Sequence, residues 1–337
     1  MSILDYAPRA LLCFLCSIAP VCARAPVIAF EATGPALTVK HPAMYPETIE
    51  YDAREDRFLL GSFREGAIYG VDQSGKASLL VEDPRLCSVL GIAVDAGRSR
   101  LWAVNSDLGA SARPSAAGPK NLAGVGVYDL VTGKAIRYVD LATLVVGPHL
   151  LNGIALDSAG NAYVTDSFSP VIYKVAPTGE AGLFLRDERF SGSGVNLNGL
   201  VVHPDGYLLV IKKSEGSLFK VPLSRPSEVS QVTIDRSLVG GDGLTLAGGR
   251  DLVVIANRTP EKNSDAAFSL STRDGWASAK VVAVQDLGDV YPTTGVVRKG
   301  VLYVVHSKLN QLISAPPDEK ARLRELAVIR PIGRVAP

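Results

Sequence analysis

A short motif recurs six times along the chain at nearly even intervals, and this constrains the fold more than any other feature. Each copy opens an apolar strand, usually with a polar residue followed by Gly, then reaches a turn and a second apolar strand. The copies begin at Glu47-Thr48-Ile49, Leu90-Gly91-Ile92, Asn152-Gly153-Ile154, Asn198-Gly199-Leu200, Asp242-Gly243-Leu244 and Thr294-Gly295-Val296, with starts 43, 62, 46, 44 and 52 residues apart. Blades of four short strands take roughly 40–50 residues each. The one long interval holds residues 106–124, rich in Ala, Ser, Gly and Pro, which reads as a loop inserted into the second blade.

Turn signals fall between the two strands of each copy, as in Asp95-Ala96-Gly97-Arg98, Asp157-Ser158-Ala159-Gly160-Asn161 and His203-Pro204-Asp205-Gly206. The second strands are expected at 57–61, 101–104, 162–165, 208–211, 252–256 and 301–305. Helical periodicity is nearly absent; residues 318–327 are expected to form one short turn of helix. The pattern predicts an all-β, six-bladed β-propeller, which closes such a series into a ring without long open edges. A β-sandwich does not explain six phased copies, and a β-helix needs a much shorter period. Residues 27–39 precede the first copy and are expected to add a strand to the last blade and seal the ring.

The first residues read as an export signal. Arg9 gives a positive flank, the run from Ala10 to Val21 is apolar but too short to span a bilayer, and Ala23-Arg24-Ala25 has the form of a cleavage site. The expected organisation is a signal peptide over 1–25 and a propeller over 26–337, secreted or periplasmic, with no later transmembrane segment. Cys13, Cys16 and Cys22 lie inside the signal, so Cys87 is left without a disulfide partner. With 35 Lys+Arg against 34 Asp+Glu and no basic stripe, nucleic acid is not an expected partner. A small-molecule substrate is; the oligomeric state is not legible.

Strand geometry then points to a site. If the first strand of each copy is innermost, its opening residue rings the mouth of the central channel: Glu47, Leu90, Asn152, Asn198, Asp242, Thr294. The ends of the second strands give a neighbouring ring: Ser62, Asn105, Asp166, Lys212, Asn257, His306. Neighbours in a strand alternate faces, so Lys212 is expected to point outward and Lys213 inward. Four members of the inner ring carry the oxygens that calcium takes, and water or substrate would complete six to eight ligands. Zinc has no Cys/His cluster to hold it. The competing account, that Asn, Asp and Gly favour strand-edge turns, explains each Asn-Gly or Asp-Gly singly but not their common phase.

The phased set Glu47, Asn152-Gly153, Asn198-Gly199 and Asp242-Gly243 resembles the gluconolactonase/regucalcin superfamily, which includes the paraoxonases and diisopropylfluorophosphatase. The resemblance covers residues 40–315. It implies a metal site at the mouth of the channel, where Glu47, Asn152, Asn198 and Asp242 hold calcium or another divalent cation. It also implies a hydrolase acting on a lactone or related ester. Asp242 would ligate the ion and either activate water or attack directly. His306, and behind it His149, are candidates for proton transfer, and Asn105 and Asp166 for support of the site. The paraoxonase disulfide cannot form here. Two alternatives stand beside this reading: a phosphotriesterase on the same scaffold, and a non-enzymatic exported binding module with a structural calcium.

Overall fold

The computed structural model describes residues 28–31, 33–259 and 264–335; the signal expected over 1–25 lies outside them. Blade one runs outward from Pro46–Asp52 through Arg57–Ser62 and Ala67–Val71 to Ala77–Glu82. Blades two to five repeat this antiparallel order from Ser88–Asp95, Leu151–Leu156, Leu197–His203 and Gly241–Ala247. Blade six comprises Pro292–Arg298, Val301–His306 and Val328–Val335, and its outermost strand is Ile28–Phe30 from the start of the chain. Leu37–Thr38 pairs with the same Val328–Val335. The ring is thus sealed by the N-terminal segment, as its position before the first copy predicts. The inserted loop spans the gap between Arg100–Ser106 and Ala123–Asp129 of blade two.

An apolar cluster fills each of the six junctions between blades. Phe58 and Leu60 pack toward blade six with Val296 and Val305, while Leu59, between them, packs toward blade two with Ile92 and Leu101. Successive side chains of a strand leave on opposite faces, and in a propeller both faces are covered. The second strands therefore read as unbroken apolar runs, such as Leu208-Leu209-Val210-Ile211, all buried. The one short turn of helix expected within 318–327 forms at its start, Pro317–Lys320, and a further short helix precedes it at Leu309–Ser314. Leu309 and Leu312, three residues apart, turn into the core, and Pro317 opens the second helix, a position that suits its fixed φ and missing N–H. Among the described residues no helix is long and apolar enough to cross a membrane.

The six first strands touch in succession, and the sixth touches the first, so they enclose a central channel of about 300 Å³. Each carries one extra residue against its partner strand, and the irregularity falls at the same place in every blade. The ladder skips between Pro46 and Thr48, Val89 and Gly91, Leu151 and Ile154, Leu197 and Leu200, Gly241 and Leu244, and Pro292 and Gly295. Glu47, Leu90, Asn152, Asn198 and Asp242 sit in these bulges. A bulge leaves its residue unpaired and re-aims the side chain.

The glycine after Leu90, Asn152, Asn198 and Asp242 has a separate cause. A Cβ on Gly153 would fall 2.6 Å from the Asn198 carbonyl oxygen, and one on Gly199 would fall 2.5 Å from that of Asp242. Gly91 and Gly243 meet the backbone of Asn152 and Thr293 in the same way. None of the four has a positive φ. They are glycines because each first strand lies directly on the next.

Candidate functional site

Glu47, Asn152, Asn198 and Asp242, from four different blades, line both the channel and a separate pocket of about 70 Å³ above it. They form the floor between the two. Thr293 completes this floor from blade six, while Thr294, the expected member, lines only the channel. The pocket walls are apolar: Phe63, Leu90, Leu108, Leu150, Val195, Leu309 and Ile313. Leu108 comes from the inserted loop and Leu309 and Ile313 from the short helix, so the irregular segments shape the entrance.

The ring side chains are buried, yet several oxygens lack partners. The Glu47 carboxylate makes no hydrogen bond among the described residues, and burial first, then the charge of Asp242, pushes its pKa well above the carboxylate range. The Asn152 amide nitrogen donates to Ser167 Oγ (3.2 Å), and that hydroxyl donates to the Leu197 carbonyl. The chain fixes the amide and leaves its oxygen free. The Asn198 side chain has no hydrogen-bond partner among the described residues, and the buried Thr293 hydroxyl has none either.

Asp242 is differently placed. Its Oδ2 accepts from Lys213 Nζ at 2.6 Å and from the Asn257 amide, while Lys213 Nζ also donates to Asn257 Oδ1 at 2.5 Å. Asn257 is tied in turn to the Pro292 carbonyl. Burial by itself would lower the pKa of Lys213; the charge and hydrogen bond of Asp242, with Tyr291 and Glu47, together outweigh it and raise the pKa above the ordinary lysine value. Lys212 goes the other way, to the Arg189 and Ser191 carbonyls and Glu215. The alternation expected of the two lysines is what the structure has. Tyr291 lies beside the pair, its ring 5.8 Å from Lys213 Nζ and 5.7 Å from the Arg258 guanidinium. It holds a left-handed backbone (φ 49°), with its N–H given to Asp265.

The histidines stand apart from this floor. His149 Nδ1 lies 2.7 Å from Asp166 Oδ2 and Nε2 lies 3.1 Å from the Val145 carbonyl. Both partners only accept, so both ring nitrogens donate; the Asp166 hydrogen bond raises the pKa accordingly. Both ring nitrogens are committed to these partners, away from the pocket. Asp166 also caps the backbone N–H groups of Leu150, Phe168 and Ser169. Asn105 serves Cys87, Arg85 and Tyr138 within blade two. Both residues brace loops of their own blades. His306 is buried, does not line the pocket, and has an unpartnered Nε2; burial pushes its pKa down to about 4. It is a neutral imidazole at pH 7. Cys87 is buried in the core with its thiol pushed up to about 11, chiefly by burial, so it is no nucleophile.

A second carboxyl lies deeper. Glu50 lines the channel among Val94, Leu156, Val202 and Leu246, and burial pushes its pKa up to about 7 against weak support from the Tyr51 N–H. Between about pH 4.5 and 7 the folded state therefore binds more protons than the unfolded chain, and stability falls as pH rises through that window. Glu50→Gln removes this loss. Its thermal midpoint should exceed that of the wild type at pH 8, and the difference should vanish below pH 4.5; a pH-independent difference would count against the assignment.

No family model matches the sequence, and no curated protein matches it. Solved structures do. The major allergen Mala s 1 of Malassezia sympodialis superposes with a TM-score of 0.69 at 18% identity, over 89% of this chain and 96% of that one. A structural-genomics target provisionally called a gluconolactonase gives 0.58 at 16%, over 91% and 96%. A luciferin-regenerating enzyme gives 0.57 at 13%, over 90% and 99%. The chain shares the six-bladed fold of these proteins. At such identities the likeness concerns fold alone, and the chemistry rests on the floor of the pocket. Among the described residues no three His, Cys, Asp or Glu side chains gather to hold a metal. An ion at this floor would depend on amide oxygens as well as the two carboxylates. The free oxygens of Glu47, Asn152 and Asn198, and the Oδ1 of Asp242, are of the hard, neutral-plus-anionic kind that suits calcium.

Proposed function

We propose that this chain hydrolyses a lactone or related ester at the pocket above the ring, with calcium held by Glu47, Asn152, Asn198 and Asp242. The observation that carries this reading is the set of unpartnered oxygens, on four largely buried residues, that four blades turn toward one pocket floor. Oxygens held open toward a pocket, with no partner in the protein, are places that a cation or water can take. When bound, the ion would polarise a carbonyl and favour the developing oxyanion. The chain's own residues do the rest. Asn257 and Lys213 hold Oδ2 of Asp242 still, so Oδ1 is the oxygen that would both ligate the ion and, through its second lone pair, take a proton from water or attack the carbonyl. Leu108, Leu150, Leu309 and their neighbours shield the reacting atoms from water. These walls offer few partners for hydroxyl groups, so the reading favours a substrate with an apolar body over a sugar lactone. Export, which rests on residues 1–25, belongs to the same proposal.

A panel of alkyl and sugar lactones, aryl esters and phosphotriesters, assayed with calcium and with chelator, tests it. Turnover of an apolar lactone or ester that is lost on chelation and restored by calcium is expected. Asn152→Ala and Asn198→Ala should each weaken calcium binding about ten- to hundredfold, the worth of one charge-assisted contact, with the fold intact. Equal calcium content in the wild type and both variants would remove the ion from this ring. A protein that binds calcium and turns over nothing on the panel would be a binding module.

A further inference from the structure

Lys213 is the one cation on the pocket floor among the described residues, and its position is closely determined. Its N–H donates to the Asn196 carbonyl at 2.8 Å and its own carbonyl accepts from Gly240 at 3.0 Å, so the backbone is clamped on both sides. Its side chain is 18% exposed, and the ammonium meets Asp242 Oδ2 at 2.6 Å and Asn257 Oδ1 at 2.5 Å. Glu47 lies on the same floor with no partner of its own among the described residues. Formally the floor carries two negative charges and one positive.

We propose that Lys213 is the built-in counter-charge of the ring: it holds Asp242 in place when no ion is bound and limits how tightly a divalent cation binds. The inference rests on the calcium reading above. With the ammonium present, a divalent ion meets one net negative charge instead of two and must share Asp242 with a fixed cation. Like charges in a buried site repel far more than in water. Without the ammonium, Glu47 and Asp242 repel each other with no counter-charge beside them, and the empty protein loses stability. One substitution should thus move two quantities in opposite directions: tighter ion binding and a less stable ion-free fold. Loss of a merely structural side chain would weaken both. Lys213 is a positioning residue on this view, since it acts through Asp242.

Calorimetric titration of the whole chain with calcium, together with thermal unfolding in chelator and in calcium, tests the inference. The variants are Lys213→Met and Lys213→Gln; the glutamine keeps a donor for Asp242 should the methionine fail to fold. Lys213→Gln is expected to bind calcium at least tenfold more tightly than the wild type and to unfold at a lower temperature in chelator. Calcium should raise its midpoint by more than it raises that of the wild type. Equal or weaker binding would overturn the proposal and leave the calcium site standing. So would an unchanged midpoint in chelator, or failure of Lys213→Gln to fold even in calcium. No binding by the wild type or either variant would overturn the calcium site itself and this inference with it.

Discussion

Asp242→Asn is expected to lower turnover by about 10²–10⁴-fold, the usual contribution of a general base, at calcium concentrations that fill the site. The substitution keeps the size of the side chain and one oxygen. It removes a negative charge and the group that would take a proton or attack. Its consequences run through Lys213 and Asn257, which both donate to Asp242 Oδ2. An asparagine would turn its single oxygen toward these two donors and present an amide NH₂ where the second carboxylate oxygen stood. Ion affinity must therefore fall as well, so turnover is compared at measured, equal occupancy. Near-normal turnover in the loaded variant would remove Asp242 from the chemistry and leave it a ligand. His306→Gln is the contrast. His306 lies outside the pocket lining, and its loss should leave turnover close to that of the wild type.

The second large effect is on stability. Gly199→Ala places a methyl group 2.5 Å from the Asp242 carbonyl oxygen, 2.8 Å from the Leu244 nitrogen and 3.1 Å from the Gly243 carbonyl carbon. All three are backbone atoms of the neighbouring first strand, held by their own ladder, so no side chain can swing aside. Overpacking of this kind costs roughly 3 kcal/mol, which in a domain of this size lowers the thermal midpoint on the order of 5–10 °C. The strain falls on the strand that carries Asp242, so calcium affinity should drop with it. Gly182→Ala is the control. Gly182 lies in the outer strand Ala181–Arg186; it has no positive φ, and a methyl group there would meet nothing within 4 Å. Its midpoint should stay within about a degree or two of the wild type, since exposed substitutions of this kind change stability by no more than about 0.5 kcal/mol. Similar midpoints for the two variants would mean that the inner strands are not in the close contact described.

Much of this architecture was legible in the chain because a propeller writes one local pattern six times. Turn residues and apolar runs specify each hairpin locally, and their spacing counts the blades. The phase of Glu47, Asn152, Asn198 and Asp242 located the ring for the same reason: a residue that opens an innermost strand has one place to be. Strand alternation alone told Lys212 from Lys213, and the position of residues 27–39 ahead of the first blade foretold how the ring closes. Asn257 stood in the neighbouring ring, though nothing local tied it to Asp242.

Other features were decided only by the tertiary structure, because their causes lie between blades. The glycines look like turn residues in sequence; they are contact residues, set by the backbone of the next strand. The shift from Thr294 to Thr293 comes from a bulge whose two candidate residues share one spelling. His149 reads as available in sequence, but the Val145 carbonyl and Asp166 occupy its two nitrogens. The link from Lys213 to Asp242 and Asn257 joins the ends of blades four and five, 29 and 44 residues apart in sequence. Strand periodicity fixes which face a side chain leaves from; only the closed ring fixes what it meets there.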